Sequence, residues 1–415
     1  MNKDTYLILL SRGIRTFPFG YLTVVIPIYL AATGSALLVG TFFFVSIMAS
    51  MIMLLFMSTF GHRFSVRSIL IFQSVSIAVG LCLLSYTSTP ALILLAAAFS
   101  VTNWAPGGGS GTGAGPYNTT LNLFLSEKTE RSSRTFLFSI SAILGTLSFA
   151  AGAYFLTFAN FSNVSSFLGV LSAQGKQQSG LFVLGAVIQI ISAIIIVGVP
   201  TTKVKHGSSS PKIAWPENTA ERTKSFFEVM KQARKFVVAE LLNGFGNGLF
   251  LRLIPLWFFV KFSLSAATIG EITAIAGIIT AFVLLLSPRL ERMVGPTGSV
   301  LFGRGAYAFL VVVMAIVPSL VTALILYYVT LVVSRVAAPI QQSFVFTKIP
   351  KEDWTRTSGM VGTANSIGSS LGPILGAYLL LEVNTSLSFI VALPFLLCSA
   401  LIYGMGFRAK YTIRT

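Results

Sequence analysis

Gly20-Tyr-Leu-Thr-Val-Val-Ile-Pro27-Ile-Tyr29 and Gly248-Leu-Phe-Leu-Arg-Leu-Ile-Pro255-Leu-Trp257 are one pattern written twice, 228 residues apart. Each runs glycine, five intervening residues, Ile-Pro, an aliphatic and an aromatic. Three further pairs keep the order and nearly the offset. Ser58-x-x-x-His62-Arg63 answers to Ser287-x-x-x-Glu291-Arg292, and Pro116-Tyr-Asn-Thr to Pro339-Ile-Gln-Gln. Arg134-Thr135 with Gly152-Ala-Tyr answers to Arg356-Thr357 with Gly376-Ala-Tyr. The chain is therefore read as two copies of one unit. The offset falls from 228 to about 223 across Gly107 to Gly115, which places roughly five extra residues of the first copy there.

Composition says what medium the unit folds in. Of 415 residues 54% are hydrophobic and 10% charged, against roughly 25% charged in a soluble domain. That excludes a soluble globular protein, and the same hydrophobicity excludes a disordered one. Cys82 and Cys398, both inside apolar runs, exclude a disulfide scaffold and are read as small buried hydrophobes. Because about 20 apolar residues cross a bilayer as a helix, twelve spans are expected. They fall near 6–33, 37–60, 68–87, 90–126, 135–158, 180–199, 237–262, 267–287, 299–318, 320–347, 357–381 and 387–407. The first is too long for a cleaved signal peptide and carries Arg12 and Arg15. Six spans per copy is an even number, so both copies share one orientation: a parallel repeat about an axis along the membrane normal.

The basic excess, 29 Lys and Arg against 12 Asp and Glu, fits either nucleic-acid binding or the loops of a membrane protein. Position decides. With both termini cytoplasmic, 22 basic residues lie on the inner side, only Lys176 and Lys261 outside, and five within spans. The charge is an orientation signal for a multi-pass cell-membrane protein, and no nucleic acid is expected as partner.

Three segments follow: a bundle over 1–199, a cytoplasmic linker over 200–236 and a second bundle over 237–415. In the linker, Gly207-Ser-Ser-Ser-Pro211 breaks structure. Phe226, Phe227, Met230, Ala233 and Val237 then recur at helical spacing, which predicts an amphipathic helix at the inner interface. Asn160, Asn163 and Asn384 open glycosylation triplets on the outer side.

The chain at this point resembles the major facilitator superfamily. That family's loop between helices 2 and 3 reads G-x-x-x-D-R-x-G-x-R. Here it is Ser58-Thr-Phe-Gly-His62-Arg63-Phe-Ser65-Val-Arg67, with both glycines and the acid replaced. Gly368-x-x-x-Gly372-Pro373-x-x-Gly376 in span 11 is similar to the glycine-proline motif the family places on helix 5. The resemblance implies an all-α fold of two six-helix bundles, alternating access to a central cavity, and a cavity lined by helices 1, 4, 7 and 10.

Arginine in mid-span must face the bundle or a wet cavity, which singles out Arg252 and Arg335. Guanidinium suits bidentate binding of carboxylate or phosphate, so the pair is an anion site or else two structural arginines bonded to carbonyls or to Glu240 or Glu271. Asn118 and Gln341 are repeat mates. With Tyr21, Asn247 and Trp257 they suit a polar solute, or alternatively hydrogen bonds between helices. Arg12 and Glu240, 228 apart near the cytoplasmic ends of spans 1 and 7, are candidates for a pair across the halves when the inner side is closed, with Arg15 a competing partner, or else two separate interfacial charges.

Proton coupling asks for a membrane-embedded carboxylate. The first copy has only Asp4, Glu127 and Glu130, all at cytoplasmic segments, which leaves Glu240 and Glu271 as carriers. Gly107 to Gly115 lacks a preceding strand and a Gly-Lys-Ser/Thr ending, so it is no phosphate loop. It is read as an unwound gate or a bulge in span 4. The resemblance makes Arg63, Arg67, Glu291 and Arg292 a conformational latch, weakened in the first copy because neutral His62 stands at the acid position.

The expectation is a monomeric, cofactor-free secondary transporter in the lipid bilayer, moving a small organic solute, which is anionic on the anion-site reading of Arg252 and Arg335. Multidrug efflux is the alternative within transport. A membrane enzyme lacks the polar cluster it would need.

Overall fold

The computed structural model describes residues 3–60, 63–100, 116–128, 134–158, 179–199, 219–294, 296–348 and 354–406. Among them every regular element is helical. The first half holds α1 (Lys3–Thr33), α2 (Ala36–Phe60), α3 (Val66–Tyr86), α4 (Pro90–Phe99), α5 (Pro116–Lys128), α6 (Arg134–Phe155) and α7 (Ser179–Val197). The second holds α8 (Thr219–Phe250), a 3-10 turn (Leu251–Leu253), α9 (Ile254–Phe262), α10 (Ala266–Val294), α11 (Pro296–Ile316), α12 (Leu320–Lys348), α13 (Trp354–Tyr378), a π turn (Leu379–Val383) and α14 (Leu387–Gly406). Eight described helices are long and apolar enough to cross a membrane. Four shorter apolar ones, Pro90–Phe99, Gly303–Ile316, Leu320–Ser334 and Leu387–Tyr403, bring the apolar segments to twelve.

Start signals are local. Ser65 accepts from the Ser68 amide at 3.1 Å to cap α3, and Ser265 does the same for α10 from Thr268. Pro90, Pro116 and Pro296 open helices where a missing N–H is harmless.

Two elements differ from the sequence reading. The helix expected to end at Val237 does not end there: α8 runs unbroken from Thr219 to Phe250, so the linker's helical period continues into the span. The fourth span, expected over 90–126, is described in two pieces, α4 ending at Phe99 and α5 running from Pro116 to Lys128, and at the end of α4 the Ser100 amide and hydroxyl both donate to the Ala96 carbonyl. Residues 101–115 lie outside the described residues.

The repeat governs packing. In each half the first helix lies against the fifth and sixth spans: α1 on α6 and α7, α8 on α13 and α14. These contacts close because side chains are missing. A Cβ on Gly20 would strike the backbone of Phe149 and Ala153, and one on Gly152 the Phe17 carbonyl. In the second half, a Cβ on Gly248 would crowd Ser369 and Gly372, and one on Gly376 would strike the Leu249 carbonyl. Small residues let backbones approach where no hydrophobic force operates between helices. Aromatics repeat as well: Tyr29 meets Phe182 at 5.2 Å and Trp257 meets Phe389 at 5.0 Å.

The halves meet each other through a second set of small residues, at the end remote from the termini. Gly40 of α2 faces Pro373 and Ile374 of α13, and Gly270 and Gly277 of α10 face Ala153 and Ala150 of α6. A single apolar cluster there includes Val24, Phe43 and Phe149 from one half and Leu253, Trp257 and Ile272 from the other. A separate cluster around Ile8, Leu70, Leu121, Phe124 and Ile196 belongs to the first half alone. Cys82 is half-buried and packs against the main apolar cluster, whereas Cys398, expected inside, is exposed on the flank of α14.

Candidate functional site

Arg15 of α1 and Glu240 of α8 lie on faces turned into their own halves. Arg15, fully enclosed, donates to Ser74 Oγ of α3 at 2.7 Å and to Gln189 Oε1 of α7 at 3.4 Å. Its guanidinium lies 3.8 Å from the centre of the Tyr117 ring on α5, and Gln189 returns a hydrogen bond to the Arg15 carbonyl. The corresponding node of the second half joins α8, α11 and α14. Arg304 forms an ion pair with Glu240 and donates to Ser399 Oγ, while stacking 4.2 Å from the Tyr403 ring. Tyr403 donates to Glu240 Oε1 at 3.0 Å, and Asn365 and Asn243 donate to Oε2 at 3.0 and 3.5 Å. One polar node per half thus pins the same three spans together.

Glu240 and Arg12 are apart in this arrangement, whose halves meet at the end remote from the termini rather than at the inner side. Arg12 is buried against Gly145 of α6, and Glu240 is held by Arg304 within its own half. The four donors, Arg304, Tyr403, Asn365 and Asn243, also explain why a carboxylate sits in a span. Sequence reasoning missed Arg304 and Arg15 as nodes. The available signal was that a mid-span arginine needs a partner, and Glu240 was the inner-half acid on hand.

Arg252 occupies the 3-10 turn between α8 and α9, is 4% exposed, and donates to the Ser369 carbonyl at 3.4 Å. It pairs with neither Glu240 nor Glu271 in the interactions described, and Glu271 is half-buried near the start of α10. Arg335, Gln341, Glu291 and Arg292 lie on helical backbone of α12 and α10, but their side chains fall outside the described residues. Asn118 is buried beside Tyr117 at the start of α5.

Asn247 donates to the Asn243 carbonyl at 2.9 Å and accepts from Tyr307 at 2.6 Å, continuing a polar ladder from Glu240 along one face of α8. Tyr21 is no cavity residue: it is wholly buried, with its hydroxyl on the Leu181 carbonyl at 3.2 Å. Trp257 is likewise wholly buried, among Phe258, Phe262 and Phe389. Both aromatics face the last span of their own half.

Arg63 is exposed and Arg67 half-buried around the start of α3; His62 lies outside the described residues. So do Asn160 and Asn163. Asn384 is exposed, but its triplet is the whole connection between the π turn and α14. Asn384 Oδ1 accepts from the Ser386 amide at 2.9 Å, and Ser386 Oγ donates to the Ala315 carbonyl at 2.5 Å. Lys261 donates to the same carbonyl, a cation at the last turn of α11. Among the described residues no group of three His, Cys, Asp or Glu could hold a metal ion.

Comparison with known proteins agrees with this architecture. A bacterial homologue of the human lysosomal transporter Spinster, solved inward-facing and unoccupied, is similar over 98% of this chain and 97% of its own, with TM-score 0.72 and 13% identity. The nucleoside transporter NupG is similar over 99% of this chain and 100% of its own, with TM-score 0.71 and 13% identity. The human organic anion transporter MFSD10 is similar over 97% and 100%, with TM-score 0.60 and 12% identity. No functionally curated relative matches the sequence. The sequence profile of the Major Facilitator Superfamily matches residues 8–346, and the chain belongs to that family.

Proposed function

We propose that the protein is a secondary carrier of small organic anions, working by alternating access in the cell membrane as a monomer. The observation that carries the anion is the buried charge. Among the described residues the buried charged side chains are Arg12, Arg15, Arg252, Arg304 and Glu240, and Glu240 is already paired with Arg304. Low-dielectric walls enlarge the field of buried charge, and four arginines against one carboxylate favour an anion over a cation in that interior. Multidrug efflux of cations fits it poorly.

Arg252 and Arg335 are the proposed contacts for the anionic group, with Asn118, Asn247 and Gln341 as polar company. The bundles 1–199 and 237–415 rock about the glycine contacts, joined by 200–236. Arg63, Arg67, Glu291 and Arg292 act as the latch at the cytoplasmic end. With both termini cytoplasmic, contact between the halves at the far end corresponds to a state open to the inside. Glu240, held by an arginine and three neutral donors, serves as a structural charge rather than a proton carrier, which leaves Glu271 for that role if coupling is to protons. The neighbours in fold, described as nucleoside and organic anion transporters, do not choose between substrates.

Uptake into proteoliposomes over a panel of organic anions, sugars and cationic dyes tests the reading. Arg252→Ala is expected to lower anion uptake by at least about tenfold, the loss of one charge-assisted contact of about 1.5–3 kcal/mol. Uptake confined to cations, and indifferent to Arg252→Ala and Arg335→Ala, would overturn it.

A further inference from the structure

From the burial pattern of α1 and α8 we infer that the solute's body is apolar and travels along two matched hydrophobic stripes, one on each helix. The inference rests on the anion reading only for the charge of the head group.

In the terminus-side half of α1, the residues that are not buried include Tyr6, Leu10, Gly13, Ile14 and Phe17. In α8 they include Arg234, Val238, Leu241, Leu242 and Phe245. Each member is its partner's repeat mate at an offset of 228, and each set falls on one helical face at i, i+4, i+7, i+8 and i+11. Leu10 is 41% exposed and Val238 46%. The charged and amide residues of the same turns, Arg12, Arg15, Glu240, Asn243 and Asn247, belong to other faces.

What separates a cavity from lipid is where the stripes stop. From Pro18 to Leu30, α1 is buried all round, and from Gly248 to Phe258 only Leu251 of the second copy is even half-buried. Outward faces of other helices do not stop. On α13, Ile367, Leu371, Leu375 and Tyr378 stay exposed into the end where the halves meet, and on α6 so do Leu147 and Tyr154. A surface exposed at one end and closed at the other, on both central helices at repeat-related positions, is the wall of a cavity between the halves. That wall is aliphatic and aromatic, with Arg234 and Lys235 exposed at its mouth. Its occupant is an amphipathic organic anion: an acyl or aryl body on the stripes, and an acidic head drawn by the basic mouth and, on the anion reading, by Arg252.

The test uses the full chain with Cys82→Ser and Cys398→Ser, and single cysteines at Leu10, Ile14, Val238 and Leu242, two in each half. Leu147→Cys and Leu371→Cys are the outward-facing controls. A charged, membrane-impermeant thiol reagent is added to both sides of membrane vesicles. The stripe cysteines are expected to label much faster than the controls. Straight-chain carboxylates from butanoate to decanoate should protect them, each added methylene strengthening protection about fourfold. Labelling no faster than the controls would overturn the inference. So would protection by succinate equal to that by decanoate, which would leave the anion reading standing. Protection by decyltrimethylammonium equal to that by decanoate would do the reverse, keeping the apolar wall and removing the anion.

Discussion

Replacing Arg304 with methionine is expected to lower folded yield and melting temperature sharply, and replacing Glu240 with leucine in the same chain to restore much of both. The single change leaves a carboxylate that is almost entirely buried with only Tyr403, Asn365 and Asn243 as donors. Breaking a buried pair from one side costs about 3–5 kcal/mol, whereas exchanging both partners for apolar groups is often neutral or better. Against a native margin of roughly 5–15 kcal/mol, the single loss takes a large share. Folded yield by size-exclusion in detergent, and thermal melting of what is recovered, measure the cycle. The two single changes should be far from additive, because they remove one shared interaction. A proton-carrier role for Glu240 makes a different forecast: Glu240→Gln would fold normally and lose only its response to a pH gradient. An Arg304→Met protein that melts within a few degrees of the parent would remove the structural assignment.

The same node marks the limit of what can be read from residues alone. Hydropathy locates apolar runs because crossing the bilayer demands about 20 of them in a row, so α1, α2, α3, α10 and α13 begin within a few residues of expectation. The repeat reached further. It paired Gly20 with Gly248 and Gly152 with Gly376, and these are the positions where backbones touch. Neither signal says which way a polar side chain in a span points. Tyr21 and Trp257 looked like cavity residues because of their helices, yet the helical phase turns them toward α7 and α14. Arg12 and Glu240 matched by offset, but the offset does not show that Glu240 is held by Arg304 within its own half while the halves meet at the other end. The phase was present in the offset of 228 all the same: Leu10, Ile14 and Phe17 lie one unit from Val238, Leu242 and Phe245. Only burial distinguishes that face from one turned to lipid. The continuation of α8 back to Thr219 was hidden because polar linker residues interrupt the apolar run without interrupting the helix.

Two classes of glycine should respond to the same substitution in opposite ways. Within a half, Gly152→Leu sets a Cβ on the Phe17 carbonyl and Gly376→Leu sets one on the Leu249 carbonyl. Both obstacles are backbone of a helix locked into the same bundle, so nothing can yield and folded protein should be lost. Between the halves, Gly40 would meet Pro373 and Ile374, and Gly270 would meet Ala153. Here the obstacle belongs to the other bundle, which can move away as a body. Gly40→Leu with Gly270→Leu should therefore fold and bind detergent as the parent does, while its halves no longer close at the end remote from the termini. Overpacking costs about 1–3 kcal/mol per site, so two sites shift the balance between closed and open forms by roughly 30-fold or more. A cysteine at Ile26, 1% exposed in that end, reports the change in a chain otherwise free of cysteine. It should be inert in the parent background and label readily in the double variant, with transport reduced to under about a tenth, because a carrier held open on one side cannot complete its cycle. Equal loss of fold in both classes, or an Ile26→Cys that stays inert in the double variant, would mean that the halves form one rigid unit and do not rock.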